Sequence, residues 1–179
     1  MTIFEPTKHC FEILSGRFED MRIVLNNVAC SDKSGVAEIY YDREGSGMAS
    51  MYKRNLDMFD VQLNLKEVIK TKRLDEYIEQ KGIKHIDFMK VDVEGHEIQV
   101  FNGIGKFLNC DFIDYMQFEY GGTNIDSRTP LLSFYELFVS RGFILAKIMP
   151  EGLQIRDYEP FLEIFEYSNY VAISKKVLK

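Results

Sequence analysis

The chain is short of positive charge, of cysteine and of long apolar runs, and each shortage excludes something. Twenty-two Lys and Arg stand against 28 Asp and Glu, a net charge of −6. No clustered basic surface is in prospect, so nucleic acid is not an expected partner. Lys175 and Lys176 near the end are a short solvated tail. The three cysteines, Cys10, Cys30 and Cys110, are odd in number and lack metal-ligand spacing, which suits a reduced, cytoplasmic compartment. No apolar run approaches the roughly 20 residues that span a bilayer. No basic region followed by an apolar core opens the chain, so neither membrane nor secretory signal is expected. Gly103-Ile104-Gly105 and Gly45-Ser46-Gly47 both lack the third glycine of a dinucleotide fingerprint. There is no internal repeat, no low-complexity tract and no linker.

What remains is an ordinary globular inventory. At 179 residues, with 46% hydrophobic and 28% charged residues, 14 Phe and 10 Tyr, the chain fits one domain, 1–179, with a large aromatic core. The central stretch is Ile86-Asp87-Phe88-Met89-Lys90-Val91-Asp92-Val93-Glu94-Gly95-His96-Glu97. Its first half reads as a strand buried in the middle of a sheet. Its second half packs three acids, a glycine and a histidine into six positions. Ile98, Val100, Phe101, Ile104, Phe107 and Leu108 follow at helical spacing, so the acids sit at a strand-to-helix corner. Ligands of α/β proteins bind beside such corners, and carboxylates there suit the positive end of the helix dipole.

Around this centre the chain alternates. Thr2-Ile3-Phe4 reads as the end of a strand stopped by Glu5-Pro6, with Pro6 opening a helix that carries Phe11, Ile13, Leu14 and Phe18. Strands are expected over Met21–Val28, Ala37–Tyr41, Val61–Ile69 and Phe112–Phe118, and as a closing pair over Phe143–Ile148 and Tyr170–Ile173. Helices are expected over Leu74–Gln80, ended by Gly82, and over Leu131–Ser140. Residues 42–55 and 120–130 are loops long enough to face a substrate. The segment between 149 and 169 reads as irregular.

Lys90-Val91-Asp92-Val93-Glu94-Gly95-His96-Glu97 resembles the signature of FkbM-type methyltransferases. Other pieces fall in the family's order: Ile3-Phe4-Glu5-Pro6, Asn27-Val28-Ala29-Cys30-Ser31-Asp32 with Gly35, Arg73-Leu74-Asp75, Gln117-Phe118-Glu119-Tyr120, and Asn169-Tyr170-Val171-Ala172. The resemblance implies an α/β class I methyltransferase (Rossmann-like) fold, a mostly parallel sheet with helices on both faces. It also implies transfer of a methyl from S-adenosylmethionine to a hydroxyl of a small molecule or sugar. The cofactor carries the activated methyl, so the protein supplies position and a path for the acceptor's proton.

On that pattern Glu5, with Pro6, would hold ribose, and Asn27 and Ala29 would border adenine. Asp92, Glu94, His96 and Glu119 would surround the reacting centre. Asp92 could hold the cofactor's ammonium or face the acceptor. Glu94 and His96 are candidate proton acceptors. Against these stand plainer readings: Glu5 and Glu94 as helix-start acids, Asp32 as a turn former, and His96 and Glu97 as surface residues. Asp92, Glu94 and Glu119 could hold magnesium, but acid clusters at strand ends are common without metal, and none is expected.

One family element is missing. The family's first strand and glycine-rich turn precede the Phe-Glu-Pro strand, and here only four residues precede Glu5. The expected fold is therefore N-terminally truncated. Two central strands would stand about two sheet spacings, roughly 9.6 Å, apart, with unpaired backbone on both. A fragment of a longer product, a strand donated by a partner chain, and a sheet closed over the gap are the three explanations. The alternatives to an active enzyme are a non-catalytic remnant of the fold that binds a partner, and, more remotely, a nicotinamide-dependent oxidoreductase. The sequence leaves room for a homo-oligomer.

Overall fold

A computed structural model describes residues 1–18 and 22–178. The elements in chain order are β1 (Thr2–Phe4), α1 (Lys8–Arg17), β2 (Val24–Asn26), β3 (Ala29–Cys30), β4 (Gly35–Tyr41), β5 (Leu65–Lys72), α2 (Leu74–Lys81) and β6 (Ile86–Val91). Then follow α3 (Glu97–Gly103), β7 (Ile113–Tyr120), α4 (Thr123–Asp126), α5 (Leu131–Val139), β8 (Phe143–Met149), β9 (Gly152–Ile155) and β10 (Ser168–Ser174). The fold is α/β. None of the described helices is long and apolar enough to cross a membrane.

The strands do not form one mostly parallel sheet, and here the expectation is corrected. They form a pair β1-β2, a five-stranded sheet β6-β7-β10-β8-β9 and a three-stranded sheet β3-β5-β4. The parallel pairs are β1 with β2, β3 with β5 and β6 with β7. The antiparallel pairs are β4 with β5, β10 with β7, β10 with β8 and β8 with β9. Connection length decides this: β6 and β7 are separated by α3, a crossover long enough for parallel strands, whereas β8 and β9 are joined by a two-residue hairpin link.

The main core lies on one face of the five-stranded sheet. Met116, Phe118 and Tyr120 of β7, Tyr170 and Ala172 of β10, and Phe143 and Leu145 of β8 point into it. Phe101 of α3, Leu74 and Ile78 of α2, and Phe134 and Phe138 of α5 meet them there. Phe118 stacks on Phe134 at 4.6 Å between ring centroids, and Phe101 meets Phe138 edge-on at 4.8 Å. This answers to the aromatic-rich composition, since offset and edge-to-face rings add to the area they bury.

The opposite face was expected to be covered by helices, and among the described residues no helix covers it. It carries a small cluster of Ala146, Val171 and Ile173 with Ile144 and Val177, which no helix joins. Beside it Phe88 remains 57% exposed, with Tyr115, Ile148, Leu153 and Ile155 also open. For the same reason β6 is not a fully buried central strand. It is an edge strand, and only Val91 is fully buried, while Asp87, Phe88 and Lys90 are exposed. Among the described residues β1 pairs only with β2 and β6 only with β7, so the sheet has not closed between them.

Other boundaries moved for local reasons. β5 starts at Leu65 rather than Val61, because Leu56 bridges Val61 and folds that stretch into a turn. It runs on to Lys72 because β4 pairs with it from Gly35–Thr71 to Tyr41–Leu65. Met21, the expected start of the second strand, lies outside the described residues. Pro6 does not open α1: Thr7 is the residue before the helix, with its backbone N–H and hydroxyl both donating to Glu5 Oε1. The segment after β8 contains β9 and is fastened by Glu163. That carboxylate accepts from Tyr120 Oη and Tyr158 Oη and from the backbone N–H groups of Leu131 and Leu132. It thereby caps the start of α5 from about thirty residues downstream, satisfying donors a helix cannot satisfy itself.

Candidate active site

The turn after β6 builds the site. Glu94 and Gly95 adopt φ of 51° and 99° in succession, a left-handed pair that reverses the chain before α3. Gly95 is needed twice over: its φ disfavours a side chain, and a Cβ there would lie 2.9 Å from the Thr123 carbonyl oxygen of α4. Glu97 locks the turn. Its Oε1 accepts from the backbone N–H groups of Val93 (3.3 Å) and Gly95 (3.2 Å). Glu97 is 1% exposed, not the surface residue expected. Among the described residues its second oxygen has no hydrogen-bond partner, and burial pushes its carboxyl up to about 7.

This turn brings three of the expected carboxylates together. Oxygens of Asp92, Glu94 and Glu119 lie within 4.8 Å of one another, at the C-terminal ends of the parallel strands β6 and β7. Asp92 and Glu119 belong to the open face of the sheet: Glu119 alternates with the buried Phe118 and Tyr120. Each acid is already partnered. Lys90 Nζ donates to Asp92 at 2.6 Å, Arg54 lies 3.5 Å from Glu94, and Tyr167 Oη donates to Glu119 at 2.7 Å. These partners supply the positive charge and donors that a cation would otherwise bring. Burial raises the Glu94 carboxyl above its ordinary range, Arg54 opposes this, and the Glu119 and Asp92 charges add to it.

His96 is turned elsewhere. It is 8% exposed, not on the helix surface, and both ring nitrogens are engaged. Nε2 lies 2.9 Å from Ser31 Oγ and Nδ1 lies 3.2 Å from Tyr52 Oη. Ser31 Oγ also donates to Asp32, so it accepts from a protonated Nε2, which leaves Nδ1 to accept from Tyr52. Burial depresses the imidazole's basicity, with Asp32 opposing, in keeping with a neutral ring. His96 thus ties the Ser31–Asp32 turn and the 42–55 loop to the corner.

Glu5, Pro6 and Asn27 form a second group at the C-terminal ends of β1 and β2. Asn27 Nδ2 donates to the carbonyls of Glu5 (2.9 Å) and Pro6 (3.0 Å), holding the two strand ends together. Glu5 Oε1 is taken by Thr7, and among the described residues no hydrogen bond is made to Oε2. Ala29 goes elsewhere: its side chain is buried with Ile39 and Ile69 in the small sheet's core. Among the described residues no hydrogen bond or ion pair joins Glu5 or Asn27 to the carboxylate group.

Sequence reasoning missed Ser50, Tyr52, Arg54, Asp126 and Tyr167. Ser50 is fully buried and its hydroxyl donates to the Glu94 carbonyl at 2.8 Å. Arg54 Nε donates to Asp126 of α4 at 2.8 Å while its Nη1 faces Glu94. Nothing in the spacing separates Arg54 from Arg43, Glu44 and Lys53 around the same loop. The partners are 40 to 72 positions away in sequence, which no local pattern reports.

Carboxylates grouped at the C-terminal ends of parallel strands, beside a strand-to-helix corner, are the ligand-binding arrangement of α/β enzymes. The family model for the methyltransferase FkbM domain matches residues 2–158, and the chain belongs to that family; it is a methyltransferase. No curated protein and no solved structure gives a significant match.

Proposed function

We propose that this methyltransferase uses S-adenosylmethionine, bound on a class I methyltransferase plan, and methylates a hydroxyl oxygen of a small molecule or sugar. The observation that carries the reading is the convergence of Asp92, Glu94 and Glu119 at the ends of β6 and β7. Bound there, the cofactor would supply an electrophilic methyl on a positively charged sulfur. Three carboxylates suit that charge and an adjacent ammonium. The free Oε2 of Glu5 suits a ribose hydroxyl, and Asn27 Oδ1, unused in the ties to Glu5 and Pro6, suits the base. Ala29 offers no polar group for it.

With the cofactor bound, the acceptor oxygen would displace sulfur at the methyl carbon, the new carbon–oxygen bond forming as the carbon–sulfur bond breaks. Glu94 takes the acceptor's proton, since burial makes it a stronger base than an exposed carboxylate. Asp92 and Glu119, anchored by Lys90 and Tyr167, fix the acceptor's remaining donors. His96 supports the corner, because neither of its nitrogens is free to move a proton. The loops at 42–55 and 120–130 border the carboxylates and set acceptor choice. Calorimetric titration with S-adenosylhomocysteine tests the cofactor. Micromolar binding is expected, and Glu5→Gln should weaken it at least tenfold, about 1.4 kcal/mol. Unchanged affinity in the variant would remove Glu5 from the site, and no binding by the folded protein would refute the cofactor assignment.

A further inference from the structure

Arg54 is the cation placed deepest among the acids of the site. Its side chain is 12% exposed, and it reaches both Glu94 of the turn (3.5 Å, side chain 21% exposed) and Asp126 of α4 (2.8 Å, 28% exposed). Two neighbours in its own segment are fastened to the same turn: Ser50 to the Glu94 carbonyl and Tyr52 to His96. The stretch from Ser50 to Arg54 therefore crosses the corner as a strap with three attachments, of which only Arg54 meets the carboxylate that would take the proton.

We propose that Arg54 is a positioning residue of the active site, holding Glu94 ionised and fixing where its carboxylate points by bridging it to Asp126. The proposal rests on the assignment of Glu94 as proton acceptor for its role in catalysis, but its physical content does not. The charged groups around Glu94 are Asp92 at the end of β6, Glu119 of β7, Glu97 of α3, Asp126 of α4 and Arg54 of the strap, with Lys90 committed to Asp92. Of these acids, Asp92 and Glu119 add their charge to the burial that disfavours ionisation of Glu94. Without Arg54 the Glu94 carboxylate would face Asp92 and Glu119 with no cation of its own, and like charges held this close do not both stay ionised. Asp126 competes with Glu94 for the guanidinium. Arg54 also suits this two-sided contact better than a lysine, since its planar fork offers donors in several directions.

The test is a carbon-detected NMR titration of the Glu94 side-chain carboxyl, assigned by its loss in Glu94→Gln, in the unliganded protein. Arg54→Met should raise the Glu94 midpoint by about 1 pH unit. Arg54→Lys should restore most of that displacement, and Asp126→Asn should move the midpoint down, because the guanidinium is then shared with no other carboxylate. Equal midpoints in the wild type and Arg54→Met, both folded by their amide spectra, would overturn the proposal. So would an upward movement in Asp126→Asn. If Arg54→Met fails to fold, the Arg54→Lys and Asp126→Asn pair decides it by the sign of their displacements. Because no cofactor or acceptor is present, failure here leaves the methyl-transfer reading intact, and failure of cofactor binding leaves this result standing.

Discussion

Glu97→Gln should flatten the pH dependence of stability. Glu97 is 1% exposed in the native state, and burial raises its carboxyl from 4.5 to about 7. The native chain therefore keeps a proton that the unfolded chain has lost. A group raised on folding contributes stability fully present below the unfolded value, near pH 4.5, and lost as pH rises through about 7. A displacement of roughly 2.5 pH units at 1.36 kcal/mol each corresponds to about 3 kcal/mol lost by pH 8. Glutamine keeps the Oε1 acceptor for the Val93 and Gly95 amides and places an amide where Oε2 already lacks a partner. The variant and the wild type should thus be of similar stability near pH 5, with the variant more stable near pH 8. Urea unfolding at half-unit steps from pH 5 to 8 measures this, because the other carboxylates cancel in the difference between the two proteins. A difference that stays constant across the range, or a wild type that gains on the variant at high pH, would refute the reasoning.

Two further tests address the scaffold. Gly95→Ala places a side chain at φ of 99° and a Cβ 2.9 Å from the Thr123 carbonyl oxygen. It should cost about 1–3 kcal/mol in urea unfolding, with Glu94 displaced; a loss near zero would show that the turn relaxes freely. Phe118→Ala in the core should cost about 3–5 kcal/mol. Phe88→Thr, on the open face two strand positions from Lys90, should stay within about 0.5 kcal/mol of the wild type. Comparable losses at the two positions would mean that the open face is covered in solution.

The sequence carried the local structure well where chemistry is local. Gly82 ends α2 at φ of 63°, and apolar spacing placed α5 to within a residue of its observed span, whereas α3 ends at Gly103, short of the Phe107 and Leu108 that the spacing included. The motif residues Asp92, Glu94 and Glu119 were legible because strand ends and turns are written in adjacent positions. β9 was not legible. All four of its residues are exposed on an edge, so no burial pattern marks them. Glu97 was misread because its burial depends on a turn whose two left-handed residues fold it back onto its own backbone.

By itself, then, the chain determined its α/β alternation, its aromatic core inventory and the acid-rich corner, all properties of neighbours in sequence. Tertiary structure alone decided which strands pair antiparallel, that one sheet face stands open, and that β6 is an edge. It also withdrew His96 from the carboxylates to Ser31 and Tyr52, and set Arg54 between Glu94 and Asp126. Those outcomes join residues tens of positions apart, where hydrogen-bond partners and charge neighbours are chosen by packing rather than by spacing.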